Sequence, residues 1–267
     1  NDALWVMDEV QLMGAGVQTA RQLEAFRNSA ESPTDPQGMG THGHVFTWYC
    51  SATASTKVLA TREWRGLPTN ENWKIELTDT EKNATEGDVA WRRLATKQLL
   101  LENSAKTTEK IDAILSNHNN LVETLESQNV SIKVPCRTLV MCNTVDRAKE
   151  VFEKLGDAVS ALDAEMQPEL ILLHSRFRPP ERADAASKLA GNHLQSLPRG
   201  QIVVGTQVID VGVDISSGLL WTEIAPLSSM IQRMGRVNRA GEYGYNTEAN
   251  YNWKPIVHVL GVGVAPQ

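Results

Sequence analysis

The sequence predicts an α/β protein built from parallel sheets with helices on both faces. Short apolar runs, LWVM near the start and TLVM, LILL and QIVV later, are each unbroken, as strands buried on both faces must be. Between the later runs lie stretches whose apolar residues recur at helical spacing. The runs end on polar clusters: Asp8-Glu9, Ser51-Ala52-Thr53, Asn143-Thr144, His174-Ser175-Arg176 and Gly205-Thr206-Gln207. Open parallel sheets place their binding sites at such carboxyl ends.

In chain order, residues 4–8 read as a buried strand and residues 17–27 as a helix with an apolar stripe of Val17, Ala20, Leu23 and Phe26, interrupted by Glu24. NSAESPTDPQGMGTHGH is rich in turn residues and predicts a loop leading into a second strand, VFTWYC. Residues 62–96 are polar, with Trp64, Trp73 and Trp91 spaced along them, and suit a connection between two cores. From Lys97 to Gln128, Ile111, Ile114, Leu115, Val122 and Leu125 share a face, predicting one or two amphipathic helices. His118 lies on that stripe and reads as a packed histidine rather than a ligand. TLVMC is then a strand, followed by a helix burying Ala148, Val151, Phe152 and Leu155, capped by Thr144 before it and Gly156 after it. LILLH, a helix from Pro180 through ERADAASKLA, QIVV, LLWTEIA and IVHVL complete the alternation.

A chain of 267 residues holds one large domain or two of about 100–150 residues. No apolar run approaches the ~18 residues of a membrane span, so none is expected. Three cysteines, odd in number and without close CxxC spacing, predict reduced thiols and a cytoplasmic protein. The net charge of -6 argues against a general electrostatic grip on nucleic acid, so any such binding must use a local groove.

The densest chemistry lies in SSMIQRMGRVNRAG. Ser228 can cap a helix on which Gln232, Arg236 and Arg239 fall at i, i+4 and i+7 and share a face. Two guanidinium groups and an amide suit a phosphate chain; a solvated basic helix end is the plainer alternative. Asp8 and Glu9, at the end of a rigid strand, can hold Mg²⁺ and orient a water, or Asp8 simply caps the next helix.

Taken in order, these motifs resemble the superfamily 2 nucleic-acid helicases. DEVQ resembles their motif II, SAT motif III, GTQVIDVGVDIS motif V and QRMGRVNR motif VI. Within the superfamily the long form through motifs V and VI, with LHSRF upstream, is most similar to the CRISPR-associated helicase of type I systems, in particular type I-G, formerly I-U. The resemblance implies RecA-like sheets, with residues 1–65 the carboxyl-terminal part of a first lobe, 66–96 a connecting region and 97–267 a nearly complete second lobe. It implies ATP and Mg²⁺ as cofactors, Asp8 binding the metal and Glu9 activating the hydrolytic water. Gln11 would link nucleotide state to motif III, Ser51 and Thr53 would relay that coupling, and Asp214 would face the nucleotide. Arg236 and Arg239 would be arginine fingers, with Gln232 beside them. Thr206 would contact a nucleic-acid phosphate, and Arg176 and Arg178 either touch the tracked strand or belong to a solvated loop. Single-stranded DNA and a CRISPR surveillance complex are the implied partners.

Two parts of that family pattern are missing from the sequence. No Gly-Lys dipeptide occurs, so the phosphate-cradling loop G-x-x-x-x-G-K-[ST] is absent and the chain by itself is expected to be inactive. No His-Asp dipeptide occurs either, and His42 and His44 read as solvated, so nuclease activity is not expected. The expected function is the helicase portion of an ATP-dependent DNA helicase or translocase; the alternative is a non-catalytic nucleic-acid-binding or scaffold module.

Overall fold

The computed structural model describes residues 3–8, 10, 13–29, 45–51, 59, 78–85, 87–104, 106–127, 134–189, 191–209, 213–243 and 253–261. The chain divides into two units, Asn1–Glu76 and Leu77–Gln267.

In the first unit, β1 (Ala3–Met7), α1 (Gly16–Ser29) and β2 (Val45–Tyr49) are described. β1 pairs in parallel with β2, from Ala3 opposite Val45 to Met7 opposite Tyr49. The stripe expected on α1 is corrected. Val17, Arg21 and Glu24 are buried, whereas Leu23 is about half exposed. Glu24 is an anchor rather than an interruption: its carboxylate accepts from Arg21 Nη1 at 2.6 Å and from Tyr49 Oη at 2.9 Å. Arg21 also lies over the Tyr49 ring, so a polar network ties the helix to β2.

The second unit begins with the short helices α2 (Asp79–Lys82) and α3 (Gly87–Leu94). There follow β3 (Gln98–Glu102), α4 (Ile111–Ser127), β4 (Arg137–Met141), α5 (Val145–Ser160), β5 (Glu169–Leu173), α6 (Pro179–Leu189), α7 (Gly191–Leu194), β6 (Gln201–Gly205), β7 (Leu219–Glu223), α8 (Leu227–Met234) and β8 (Ile256–Leu260). The six strands form one sheet in the order β3-β8-β7-β4-β6-β5, with every pairing parallel.

Alternation along each strand divides the core between the two faces. Val140, Ile202, Val204, Leu219 and Trp221 face α4 and α5, meeting Ile114, Leu121, Val151 and Leu155. Leu139, Met141, Val203 and Leu220 face α6 and α8, meeting Ala185, Leu189 and Met230. Both faces are therefore covered, as all-parallel sheets require.

Several expectations change here. Gln98–Glu102 is a strand, not part of a helix; as an edge strand it leaves Leu99 and Leu101 exposed, which disguised it. Thr144 caps α5 as expected, its hydroxyl accepting from Arg147 N, but Gly156 lies inside that helix, which runs on to Ser160 because Val159 still packs into the core. Ser228 caps nothing: α8 starts at Leu227 after Pro226, without a side-chain cap. His118 is fully buried, with Nε2 donating to the Arg199 carbonyl and Nδ1 accepting from Thr138 Oγ1, both at 2.8 Å. No described helix is long and apolar enough to cross a membrane.

Candidate functional site

In the first unit, Asp8 and Ser51 stand just beyond the carboxyl ends of two paired parallel strands, β1 and β2. Cys50 N donates to Met7 O at 2.8 Å, which holds the two strand ends in register. Asp8 is exposed and Ser51 half-buried. Glu9, Gln11, Thr53, His42 and His44 lie outside the described residues.

In the second unit the candidate residues fall at opposite ends of the sheet. At the carboxyl end, Asn143, Val145, Ser175, Thr206, Gln207 and Val208 line an open pocket of about 320 Å³. Thr206 directly follows β6 and donates its backbone N–H to Leu173 O, which fixes it against the end of β5. Asn143 follows β4, and its side chain is already committed: Nδ2 donates to Ile224 O at 2.8 Å and Oδ1 accepts from Arg233 Nη2 at 3.1 Å. Beside it the buried Glu223 carboxylate accepts from Asn143 N, Thr107 Oγ1 and Arg147 Nη1 at 2.8, 3.1 and 2.9 Å. A buried charge needs that degree of pairing.

At the amino end the two arginines come together, though not on a helix. α8 stops at Met234, so Arg236 and Arg239 lie on the loop beyond it and the expectation of one helical face shared with Gln232 is corrected. Gln232 is in the last turn of α8 and half-buried. The loop is fastened to the segment before β7: Ser217 bridges in parallel to Val237, Ser217 N donates to Arg236 O at 2.9 Å, and Asn238 N donates to Ser217 O at 3.0 Å. Asn238 adopts φ +47°, a left-handed conformation that Asn tolerates better than most residues. Its side chain donates to Thr96 O and accepts from Tyr243 N. This fastening brings Asp214 to the arginines: Arg239 Nε is 2.9 Å and Arg236 Nη1 4.0 Å from Asp214 Oδ1. Lys97 Nζ, donating to Met234 O, holds the helix end at the start of β3.

Arg176 and Arg178 are exposed and engaged in ion pairs with Asp146 and Glu181 respectively; neither lines the pocket. Sequence reasoning missed Arg233 and Glu223. A charged residue closing the otherwise apolar run LLWT was the available signal for Glu223. For Arg233 it was helical spacing, since Ser229, Met230 and Arg233 form the buried face of α8.

A six-stranded parallel sheet covered by helices on both faces, with polar residues gathered at its carboxyl end and paired arginines at its amino end, has the RecA-like fold. In its fold the chain is similar to the DUF1998 helicase MrfA (TM-score 0.54, 14% identity, 98% of this chain and 31% of that one). It is likewise similar to a CRISPR-associated protein (TM-score 0.51, 23% identity, 83% and 24%). Residues 136–242 match the family described as CRISPR-associated nuclease/helicase Cas3, C-terminal. The CRISPR-associated helicase Cas3 of Thermoproteus tenax is 30% identical over 118 residues, 42% of this chain and 19% of that protein. The CRISPR-associated nuclease/helicase Cas3 of Methanothermobacter thermautotrophicus is 30% identical over 109 residues, 41% and 12%. The chain thus spans less than a fifth of the length of these relatives.

Proposed function

We propose that this chain is the helicase portion of an ATP-dependent DNA helicase or translocase acting in CRISPR antiviral defence. Its domains would be 1–65 from a first RecA-like lobe, 66–96 as connection and 97–267 as second lobe. The observation that carries the reading is the separation of two anion-suited sites on one rigid sheet: Arg236 and Arg239 at the amino end, Thr206 and Ser175 at the carboxyl end. A motor must hold nucleotide and nucleic acid at once, and two sites on one rigid body let a motion driven at one be felt at the other. MrfA, a relative in fold, is described as bound to DNA and AMPPNP.

Arg236 and Arg239 would stabilise charge developing on the terminal phosphate, the largest electrostatic contribution in such transfers. Thr206 would donate its hydroxyl to a backbone phosphate of single-stranded DNA, a contact that positions without reading sequence. Magnesium sites of this kind use one or two carboxylates together with substrate phosphates, which the exposed Asp8 at a strand end fits; there the ion would neutralise phosphate charge. Glu9 would orient the attacking water. Gln11, Ser51 and Thr53 would pass nucleotide state onward, Asp214 would face the nucleotide, and Arg176 and Arg178 would flank the DNA path. A crRNA-guided surveillance complex would recruit the protein.

The test is Glu9→Gln in the full natural polypeptide. ATP should bind and remain unhydrolysed, as seen by retention of radiolabelled ATP after gel filtration. Hydrolysis at the wild-type rate would remove Glu9 from its role, and absence of DNA-stimulated hydrolysis in the wild-type polypeptide would favour the non-catalytic module.

A further inference from the structure

One residue links the carboxyl end of the sheet to the Arg236–Arg239 loop. The Arg233 side chain is buried, and Nη1 donates to Thr222 Oγ1 and Glu223 O, both at 3.0 Å, while Nη2 donates to Asn143 Oδ1 at 3.1 Å. Those acceptors lie at the carboxyl end, and Asn143 lines the pocket that holds Thr206. The Arg233 carbonyl lies at the other end. It accepts from Gly235 N, where α8 stops, and from Arg236 N at 3.0 Å. Helical side chains lean toward the helix amino terminus, which is how a residue in the last turn of α8 reaches back along the sheet to Asn143.

We infer that Arg233 is a positioning residue that transmits occupancy of the carboxyl-end pocket to the Arg236–Arg239 loop. The inference rests on the function proposed above and adds the route of its regulation. A phosphate drawn into the pocket displaces Asn143, whose amide oxygen is bonded to the Arg233 guanidinium. Because that guanidinium is planar and holds three acceptors at once, it moves as a unit. The displacement reaches the carbonyl that fixes the Arg236 N–H. A lysine cannot reproduce this: its single ammonium carries charge without the fork that binds Asn143 and the β7 end together.

The experiment is ATP hydrolysis by the full natural polypeptide with and without single-stranded DNA, for wild type, Arg233→Lys, Asn143→Ala and the double variant. Arg233→Lys should keep DNA-independent hydrolysis and oligonucleotide affinity but lose about fivefold or more of the DNA stimulation, a coupling of ordinary size. The double variant should lose no more stimulation than the worse single variant, because both cut one connection. Undiminished stimulation in Arg233→Lys, additive losses, or a parallel fall of hydrolysis, DNA affinity and melting temperature would each overturn the inference, the last by revealing a merely structural arginine. If Arg233→Lys does not fold, Arg233→Gln, which retains a donor but not the fork, takes its place. A wild-type polypeptide without any DNA stimulation sinks the proposed function itself, so the two failures are distinguishable.

Discussion

Arg239 Nε lies 2.9 Å from Asp214 Oδ1, and Arg236 Nη1 approaches the same oxygen at 4.0 Å. The carboxylate is exposed while the Arg236 side chain is almost buried. Such a pair contributes little to stability, so under the proposed function a nucleotide phosphate would compete with Asp214 for the two arginines at little cost.

Replacing either arginine by alanine in the full polypeptide should lower kcat for ATP about a thousandfold, at the low end for arginine fingers. Nucleotide affinity should change by about threefold or less, since a contact strongest in the transition state is lost. Single-turnover kinetics and nucleotide titration measure the two separately; an equal loss in both would make the arginines simple binding groups.

Thr206→Glu places a carboxylate in the pocket at the end of β6, 6% exposed in the folded protein. Repulsion from backbone phosphates should weaken single-stranded DNA binding by roughly tenfold, about 1.4 kcal/mol, more at low salt than at high. Fluorescence anisotropy across a salt series reads this directly. An unchanged Kd would take the pocket out of the DNA path.

Gly200 turns the chain into β6 at φ +63°, and a Cβ there would lie 2.1 Å from the Cys136 carbonyl oxygen. Backbone is the obstacle, so no rotamer change relieves it. Gly200→Ala should destabilise the second unit by about 3 kcal/mol, seen as a lower urea midpoint with unchanged slope. A midpoint equal to wild type would mean the turn can rearrange freely.

Burial holds the His118 pKa down to about 4, against an unfolded value of 6.5. Between those values the unfolded chain binds the extra proton, so this contribution is complete above pH 6.5 and is lost as pH falls toward 4. Its full size is on the order of 3 kcal/mol. His118→Gln should be less stable at neutral pH and show a flatter dependence on pH in that window, by denaturant titration at each pH. Parallel pH profiles would contradict the assignment.

The central strands of the second unit were legible because both faces of a central parallel strand are buried, leaving the apolar runs LVM in β4 and IVV in β6 without polar interruption. β3 escaped for the opposite reason, lying at an edge with Leu99 and Leu101 exposed. Thr206 could be placed at a strand end by its position after QIVVG alone. Arg233 was signalled only by its helical spacing from Ser229 and Met230, and a basic cluster in one dimension does not say which acceptors its guanidinium reaches.

Local chemistry, then, was legible from residue order: which central runs become strands, that Thr144 caps α5, and which motifs carry carboxylates and arginines. These follow from propensity and periodicity over a few residues, which act without knowledge of the rest of the chain. Tertiary structure alone decided that the arginines meet Asp214 across the Ser217–Val237 bridge, that α8 ends before them, and that Arg233 turns inward to Asn143 and Thr222. Those pairings join residues up to 90 positions apart, and only packing around one shared sheet brings such groups within hydrogen-bonding distance.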